Sequence, residues 1–431
     1  MKMKEKLKNS MWMIAEKIIS VFGLIFVTSF VAKYVGPTTF GIISVSMLVF
    51  QFLQTVAYMG SDVILLKRFS QNKRSGVSLM MSAFVLILTF YLVLALGGMV
   101  VMGEAMTQDA MVFIIAAAIA CLFSAIDLVN IFNEAMLNAK LNVIANATGL
   151  MLSLAIRFVI SYYELDPHYL ALPIVLATFT PFVIKLLLFR RHEGAFSMPG
   201  SRQVKKYSRY MLASGGTLIF SVIAVALYTR LNQFSVSYFL GIKEAGVFSV
   251  ALTLSSAWVF LPNALLASFY PAFFSEKDQQ RAVVKIQQLH LLVVAVSAIV
   301  IFAVALLAPL FIRFFYGDAY LDAVAPTVWL CLGAMFGLLS SVMDRYIIKY
   351  NGYLYLVKKT FFVLLICLVS SAVLVPLYGL TGAAFSVVLT ELLSFTLLNY
   401  FFTAQPMLSI HRTFFSPKKI WFLLHDVKTL R

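Results

Sequence analysis

An all-α, polytopic membrane fold of about twelve transmembrane helices follows from three features of this 431-residue sequence: its composition, the length of its apolar stretches and the placement of its basic residues. Hydrophobic residues make up 61% of the chain and charged residues 12%. A soluble protein with that balance exposes large apolar patches, whereas in a bilayer the lipid tails solvate the outer face. Many apolar stretches exceed the ~18–20 residues that cross ~30 Å of hydrocarbon as helix. Barrel strands would instead alternate apolar and polar residues over ~10 positions.

Apolar runs bounded by charges place the spans in order. The first, 11–33, follows the lysines at 2, 4, 6 and 8; Glu16 and Lys17 interrupt it and no small-residue cleavage pattern precedes Lys33, so it reads as an uncleaved span. Next come 40–66, ending before Lys67 and Arg68, and 77–103, between Arg74 and Glu104. Asp109 and Glu134 bound 110–133, Lys140 and Glu164 bound 143–163, and Asp166 and Arg190 bound 168–189. The second half gives 210–233, 245–270, 289–315, 323–348, 355–377 and 380–403.

Basic residues orient the chain. With both termini cytoplasmic, Lys67, Arg68, Lys73, Arg74, the 190–209 cluster and the tail after 403 all fall inside. The external loops then hold two basic residues, Lys33 and Lys243, and seven acids, Glu104, Asp109, Glu164, Asp166, Glu244, Asp318 and Asp322. An odd number of spans would break this alternation. The net charge of +16 is this bias plus contact with anionic headgroups, rather than a nucleic-acid footprint. No loop reaches the ~50 residues of a soluble domain. The expected division is a six-helix bundle over 1–200, a second over 201–403 and a tail over 404–431.

An internal repeat supports the two halves. YVGPTTFGIISV at 34–45 and FLGIKEAGVFSV at 239–250 align Gly36 with Gly241, Gly41 with Gly246, and Ser44-Val45 with Ser249-Val250. Both segments join the first two spans of a half. Six spans per half give a parallel repeat about the membrane normal, enclosing a central cavity. A weaker echo, YGLTGAAFSVV, lies at 378–388. The glycines are expected to form tight external turns and to let helix ends approach closely.

Ionisable groups at membrane depth are costly and mark cavities or partners. Arg157 in span 5 and Arg230 in span 7 fall toward the outer ends of their spans, and Lys17 lies early in span 1. These three are candidate cavity cations for an anionic group such as a diphosphate, because guanidinium matches phosphate oxygens and stays charged when desolvated. Snorkelling to the interface is the plainer alternative. Asp62, Asp127 (near Asn130 and Asn133), Asp344, Arg345 and Glu391 are candidate coupling or gating groups. Tyr162, Tyr163, Tyr169, Tyr238, Tyr316 and Tyr320 are expected in an outer aromatic belt. Cys121, Cys331 and Cys367 lie in apolar stretches and read as packing residues. The sequence carries no phosphate-binding glycine loop, no metal-ligand spacing and no catalytic constellation, so no cofactor or metal is expected.

Four segments resemble one known family: YVGPTTFGIISVSMLVFQF at 34–52 followed by Gly60 and Asp62; YTRLNQFSVSYFLGIKEAGVFSVALTL at 228–254, running into LPNALLASFYPAFF at 261–274; APLFIRFFYGDAYLDAVAP at 308–326; and VPLYGLTGAAFSVV at 375–388. They are similar to the polysaccharide-transporter branch of the multidrug/oligosaccharidyl-lipid/polysaccharide exporter superfamily, which includes the bacterial O-antigen flippases. One departure stands out: relatives often carry an Asp two residues after the position of Arg230, where this chain has Asn232. The resemblance implies two six-helix bundles opening alternately to either side of a bacterial inner membrane. It also implies an undecaprenyl-diphosphate-linked oligosaccharide as substrate, and a polymerase and a chain-length regulator as partners. The rivals are an ion-coupled small-molecule exporter of the same superfamily and an integral-membrane polymerase or ligase. The latter would be expected to carry a long external loop with catalytic Arg or His residues.

Overall fold

A bilayer core offers no water to backbone N–H and C=O groups, so a spanning segment must satisfy them internally. Accordingly, every regular element among the described residues is helical. The computed structural model describes the backbone of residues 3–193, 200–402 and 404–413, with side chains chiefly over 25–191, 222–402 and 407–412. The chain divides into two compact units, Met1–Leu227 and Tyr228–Arg431.

Unit 1 holds α1 (Met3–Tyr58), α2 (Ser61–Gln71), α3 (Lys73–Ala105), α4 (Met111–Ile126), α5 (Val129–Ala135), α6 (Ala139–Tyr162) and α7 (Ala171–Glu193). The division falls within α8 (Ser201–Phe239). Unit 2 continues with α9 (Ile242–Ser256), α10 (Phe260–Ser275), α11 (Gln279–Phe311), α12 (Val324–Lys349), α13 (Tyr353–Phe395) and the short α14 (Leu397–Tyr400) and α15 (Ala404–Thr413). Nine stretches among the described residues are long and apolar enough to cross a membrane. Two of them, within α1 and α13, are interrupted by a non-helical glycine. The chain is a multi-pass integral membrane protein.

The interruptions explain the glycine motifs. Gly36 has φ 75° and ψ 170°, and Gly241, its partner in the repeat, φ 98° and ψ 176°. That region of backbone space is essentially reserved for glycine, and another residue there costs ~1–3 kcal/mol. A Cβ on either residue would meet nothing within 4 Å, so the requirement is torsional; the expected close approach of helix ends is not what selects these glycines. Close approach occurs instead beyond the break at Gly379 (φ 60°), where a Cβ on Gly382 would lie 1.9 Å from the Leu374 carbonyl oxygen.

Two spans end differently from the sequence expectation. Span 2 stops at Tyr58, because Met59 and Gly60 both take positive φ (48° and 67°). Asp62 is therefore not in a spanning helix but in the first turn of α2, which buries Ile64, Leu65 and Phe69 and turns Lys67 outward. Span 4 is broken at Asp127 (φ −76°, ψ 62°), which separates α4 from α5.

Small residues let helices pack where lipid supplies no hydrophobic drive. Ala116 and Ala120 of α4 join Val31, Ile160, Leu170 and Ile174 in one core of unit 1. In unit 2, α12 packs Leu338, Val342 and Tyr346 against Ile286, Leu289 and Val293 of α11, and Met407 and Ile410 of α15 join the same core. The outward faces stay apolar: Leu96, Val100 and Val101 of α3 and Phe302, Leu306 and Leu310 of α11 are exposed, as lipid contact requires. The three cysteines are free and buried. Of the expected aromatic belt, Tyr162, Tyr163, Tyr169 and Tyr238 are exposed, but Tyr316 and Tyr320 are fully buried against each other, their rings 5.8 Å apart. Gly317 (φ 90°) reverses the chain between them and folds both rings inward.

Replacing Gly382 with alanine forces the Leu374 carbonyl to move. A loss of about 1–3 kcal/mol is expected, as for other overpacked sites, and would be measured as a lowered unfolding midpoint of the detergent-purified protein.

Candidate functional site: a polar cavity in each unit

In unit 1 the break at Asp127 creates the site. Because α4 stops there, the carboxylate leaves the helix line and receives Lys185 of α7, with Nζ 2.6 Å from Oδ2. Lys185 is 3% exposed and donates a second bond to Asn130 Oδ1 at 3.1 Å. Asn130 in turn donates to Glu134 at 2.8 Å, and its carbonyl accepts from Asn142 Nδ2 at 2.9 Å. Asn142 Oδ1 receives Asn133 Nδ2 at 2.8 Å, so the asparagines of α5 are locked to α6. Above the pair, Gln54 of α1 donates to Ser124 of α4 at 2.9 Å. These groups wall a cavity of about 470 Å³ that also meets Tyr58, Asp62 and Asn146. Asp127 Oδ1 is buried with no hydrogen-bond partner among the described residues. On α7, Pro181 lines the cavity as well, and a Cβ on Gly149 of α6 would lie 2.4 Å from its ring, so the glycine admits the proline.

Unit 2 contains two adjoining cavities of about 420 and 360 Å³, both lined by Tyr228, Gly337 and Glu391. Lys359 of α13 is 4% exposed and binds Asp344 of α12, Nζ to Oδ1, at 2.6 Å. It also donates to Ser340 Oγ at 3.0 Å, and Ser340 is bonded to Ser394 at 2.8 Å. Arg345 lines the first cavity and lies 5.3 Å from the Tyr270 ring centroid. Glu391 reaches the gap left by Gly337, where a Cβ would stand 3.3 Å from Oε2. Asn232, at the position where relatives often carry Asp, is buried; its Nδ2 contacts Cys367 Sγ at 3.3 Å.

Two lysines close the C-terminus of α10. Lys349 donates to the Phe273 and Glu276 carbonyls at 2.7 and 2.6 Å, and Lys285 to the Ala272 carbonyl at 3.0 Å. Helix C-termini leave such carbonyls unpaired and favour cations. Lys285 also bonds Glu276, in the loop between the helices, and holds its carboxyl below the usual carboxylate range.

The candidates read from sequence distribute as follows. Asp62 and Asp127 line the unit-1 cavity; Asp344, Arg345 and Glu391 line the unit-2 cavity. Arg157 lies on α6 outside these linings and has no hydrogen bond or ion pair among the described residues. Arg230 lies on α8 between cavity-lining neighbours Thr229 and Asn232 but outside the lining itself. The side chain of Lys17 falls outside the described residues. Sequence reasoning missed Lys185 and Lys359, the two most deeply placed cations of the cavities. The signal was available: an acid in a span requires a counter-ion, and each lysine stands in an apolar stretch of a nearby span.

Removing one partner of a buried pair strands the other. Lys185→Met should destabilise unit 1 by about 3–5 kcal/mol, and the double variant with Asp127→Asn should recover most of that loss in thermal unfolding.

The comparisons agree with this architecture. A family model described as polysaccharide biosynthesis protein matches residues 6–277. Among solved structures, the chain is similar to the lipid II flippase MurJ in an inward closed conformation, with TM-score 0.70 and 14% identity, covering 98% of this chain and 96% of that one. It is also similar to an inward-facing multidrug resistance MATE family transporter of the MOP superfamily, with TM-score 0.62, 12% identity and coverage of 91% and 96%. A eukaryotic MATE transporter gives TM-score 0.61 at 14% identity, with coverage of 95% and 98%. No curated protein matches the sequence. At these identities the structural likeness establishes the fold, while the family match covers more than half the chain. The chain therefore belongs to the polysaccharide biosynthesis protein family and has the fold of the MOP-superfamily transporters.

Proposed function

We propose that the chain is a flippase for undecaprenyl-diphosphate-linked oligosaccharide, an O-antigen or related surface-polysaccharide repeat unit. It carries its substrate from the cytoplasmic to the periplasmic leaflet of a bacterial inner membrane by alternating access. The observation that carries this reading is a pair of polar, charge-lined cavities inside helices that are otherwise apolar. Such groups are expensive at membrane depth and are retained where something polar must pass. The family match and the fold shared with a lipid flippase point to a lipid-linked substrate. In this reading Lys17, Arg157 and Arg230 hold the diphosphate, Arg157 and Arg230 from positions outside the cavity linings, and the acids of the two cavities couple or gate the movement. Both termini face the cytoplasm, the six-helix halves 1–200 and 201–403 rock against each other, and a polymerase with a chain-length regulator receives the product.

A second reading, an ion-coupled exporter of small molecules, is favoured by the fold shared with multidrug transporters and by the acids in the cavities. Proteoliposomes containing only this protein separate the two. Protein-dependent appearance of a lipid-diphosphate oligosaccharide in the opposite leaflet, read by an impermeant sugar-modifying enzyme, is expected. Its absence across several glycans, together with gradient-driven efflux of cationic dyes, would favour the exporter. If Arg157 holds the diphosphate, Arg157→Gln removes a charge-assisted bond worth about 1.5–3 kcal/mol and apparent affinity for the lipid diphosphate should fall about tenfold or more; unchanged affinity would remove Arg157 from that role.

A further inference from the structure

The unit-2 cavity contains one buried cation and two carboxylates. Lys359 is bonded to Asp344 at 2.6 Å, whereas Glu391 has no hydrogen-bond or ion-pair partner among the described residues. The three groups nevertheless line one cavity, together with Ser340 and Ser394. The path between them is short. Lys359 donates to Ser340, Ser340 is bonded to Ser394, and Ser394 stands three residues after Glu391 on the same helix. Residues three apart on a helix have Cβ atoms ~5–6 Å apart, which is within the sweep of a lysine's four-carbon stem. Gly337 clears the space into which the Glu391 carboxylate reaches. Glu391 also lines both cavities, so it is open to whatever enters from either.

We propose that this cavity is a proton-binding site in which Glu391 takes up the proton and Lys359 exchanges Asp344 for Glu391 as its carboxylate partner when that proton leaves. With Glu391 protonated, the lysine has one anionic partner and stays on Asp344. With Glu391 ionised, two carboxylates compete for one ammonium, and the lysine moves toward the one that lacks any other partner. Ser340 lies between the two positions and accepts the ammonium on the way. No bond other than O–H forms or breaks, and the proton resides on a Glu391 oxygen. The other charged or titratable groups lining these cavities with Glu391 are Arg345 on α12, Cys367 on α13 and Tyr228 on α8. Among these groups Glu391 alone combines a titratable carboxyl with an unfilled set of hydrogen bonds. The exchange ties α12 to α13 in one protonation state and relaxes that tie in the other, which is the kind of two-state contact a moving bundle requires. It deepens the transporter reading of the same cavity by naming the coupling ion.

The test is infrared difference spectroscopy of the reconstituted full chain titrated with acid and base, without substrate. Expected is a protonated-carboxyl stretch that vanishes as pH rises and is missing in Glu391→Gln. In Lys359→Met the band should persist to higher pH by about one unit or more, since an opposite charge no longer favours the ionised form. In Asp344→Asn the band should vanish at lower pH, and most of that change should be lost in the Lys359→Met background, leaving only the relief of repulsion between the two acids. A wild-type spectrum identical to that of Glu391→Gln overturns the proton site. An Asp344→Asn change of undiminished size without the lysine overturns the exchange, because simple repulsion between the acids would then account for all of it. Wild type and Glu391→Gln decide the first point even if the lysine variant fails to fold, and the double variant, which removes both members of the pair, decides the second. Because no substrate is present, failure here leaves the flippase reading standing, and failure of flipping leaves this titration unaffected.

Discussion

An ammonium placed among apolar helices cannot be left without a counter-ion, and that constraint organises both halves of this protein. Desolvating a charge costs several kcal/mol even after relaxation, so a buried lysine is tolerated only with a well-placed acid and further hydrogen bonds. Lys185 meets it with Asp127 and Asn130, and Lys359 with Asp344 and Ser340. Each pair ties together two helices, the end of α4 to α7 in unit 1 and α12 to α13 in unit 2. Each also leaves polar surface facing a cavity, since neither the Asp127 carboxylate nor the Glu391 carboxylate is fully used. Structural cost and functional opportunity thus arise from the same atoms.

The backbone is arranged to serve these pairs. A continuous α4 would carry Asp127 along a regular helical face; the non-helical torsions at Asp127 turn it toward α7 instead. The same interruption gives the asparagines of α5 their bonds to α6. In unit 2 the corresponding device is a missing side chain: Gly337 makes room for Glu391. Hairpins between spans are set by torsion, as at Gly36, Gly241 and Gly379, rather than by tight packing around the glycine itself. Close packing enters one turn further on, at Gly382 against the Leu374 carbonyl.

The two units solve one problem with different residues. Unit 1 places its lysine on the sixth span against an acid of the fourth, and unit 2 places its lysine on the eleventh span against an acid of the tenth. Gly36 and Gly241 take similar backbone conformations, while the buried ion pairs of the two units use different residues.

Composition and the length of the apolar stretches determined the membrane class and most of the spans, because hydrophobic thickness acts on the chain locally and leaves a one-dimensional record. The glycine motifs likewise marked the hairpins at Gly36 and Gly241, since a forbidden torsion needs glycine whatever surrounds it. Asp127, Asp344 and Glu391 were legible as expensive acids for the same reason. Their partners were not: Lys185 is 58 residues from Asp127 and Lys359 15 from Asp344. Which cation reaches which carboxylate depends on helix rotation and neighbour choice, and these are settled only when the bundle packs. The inward turn of Tyr316 and Tyr320, the break that moves Asp62 onto α2 and the space beside Gly337 were decided at that level too. The sequence alone determined which groups are costly to bury, and the tertiary structure decided how each cost is met.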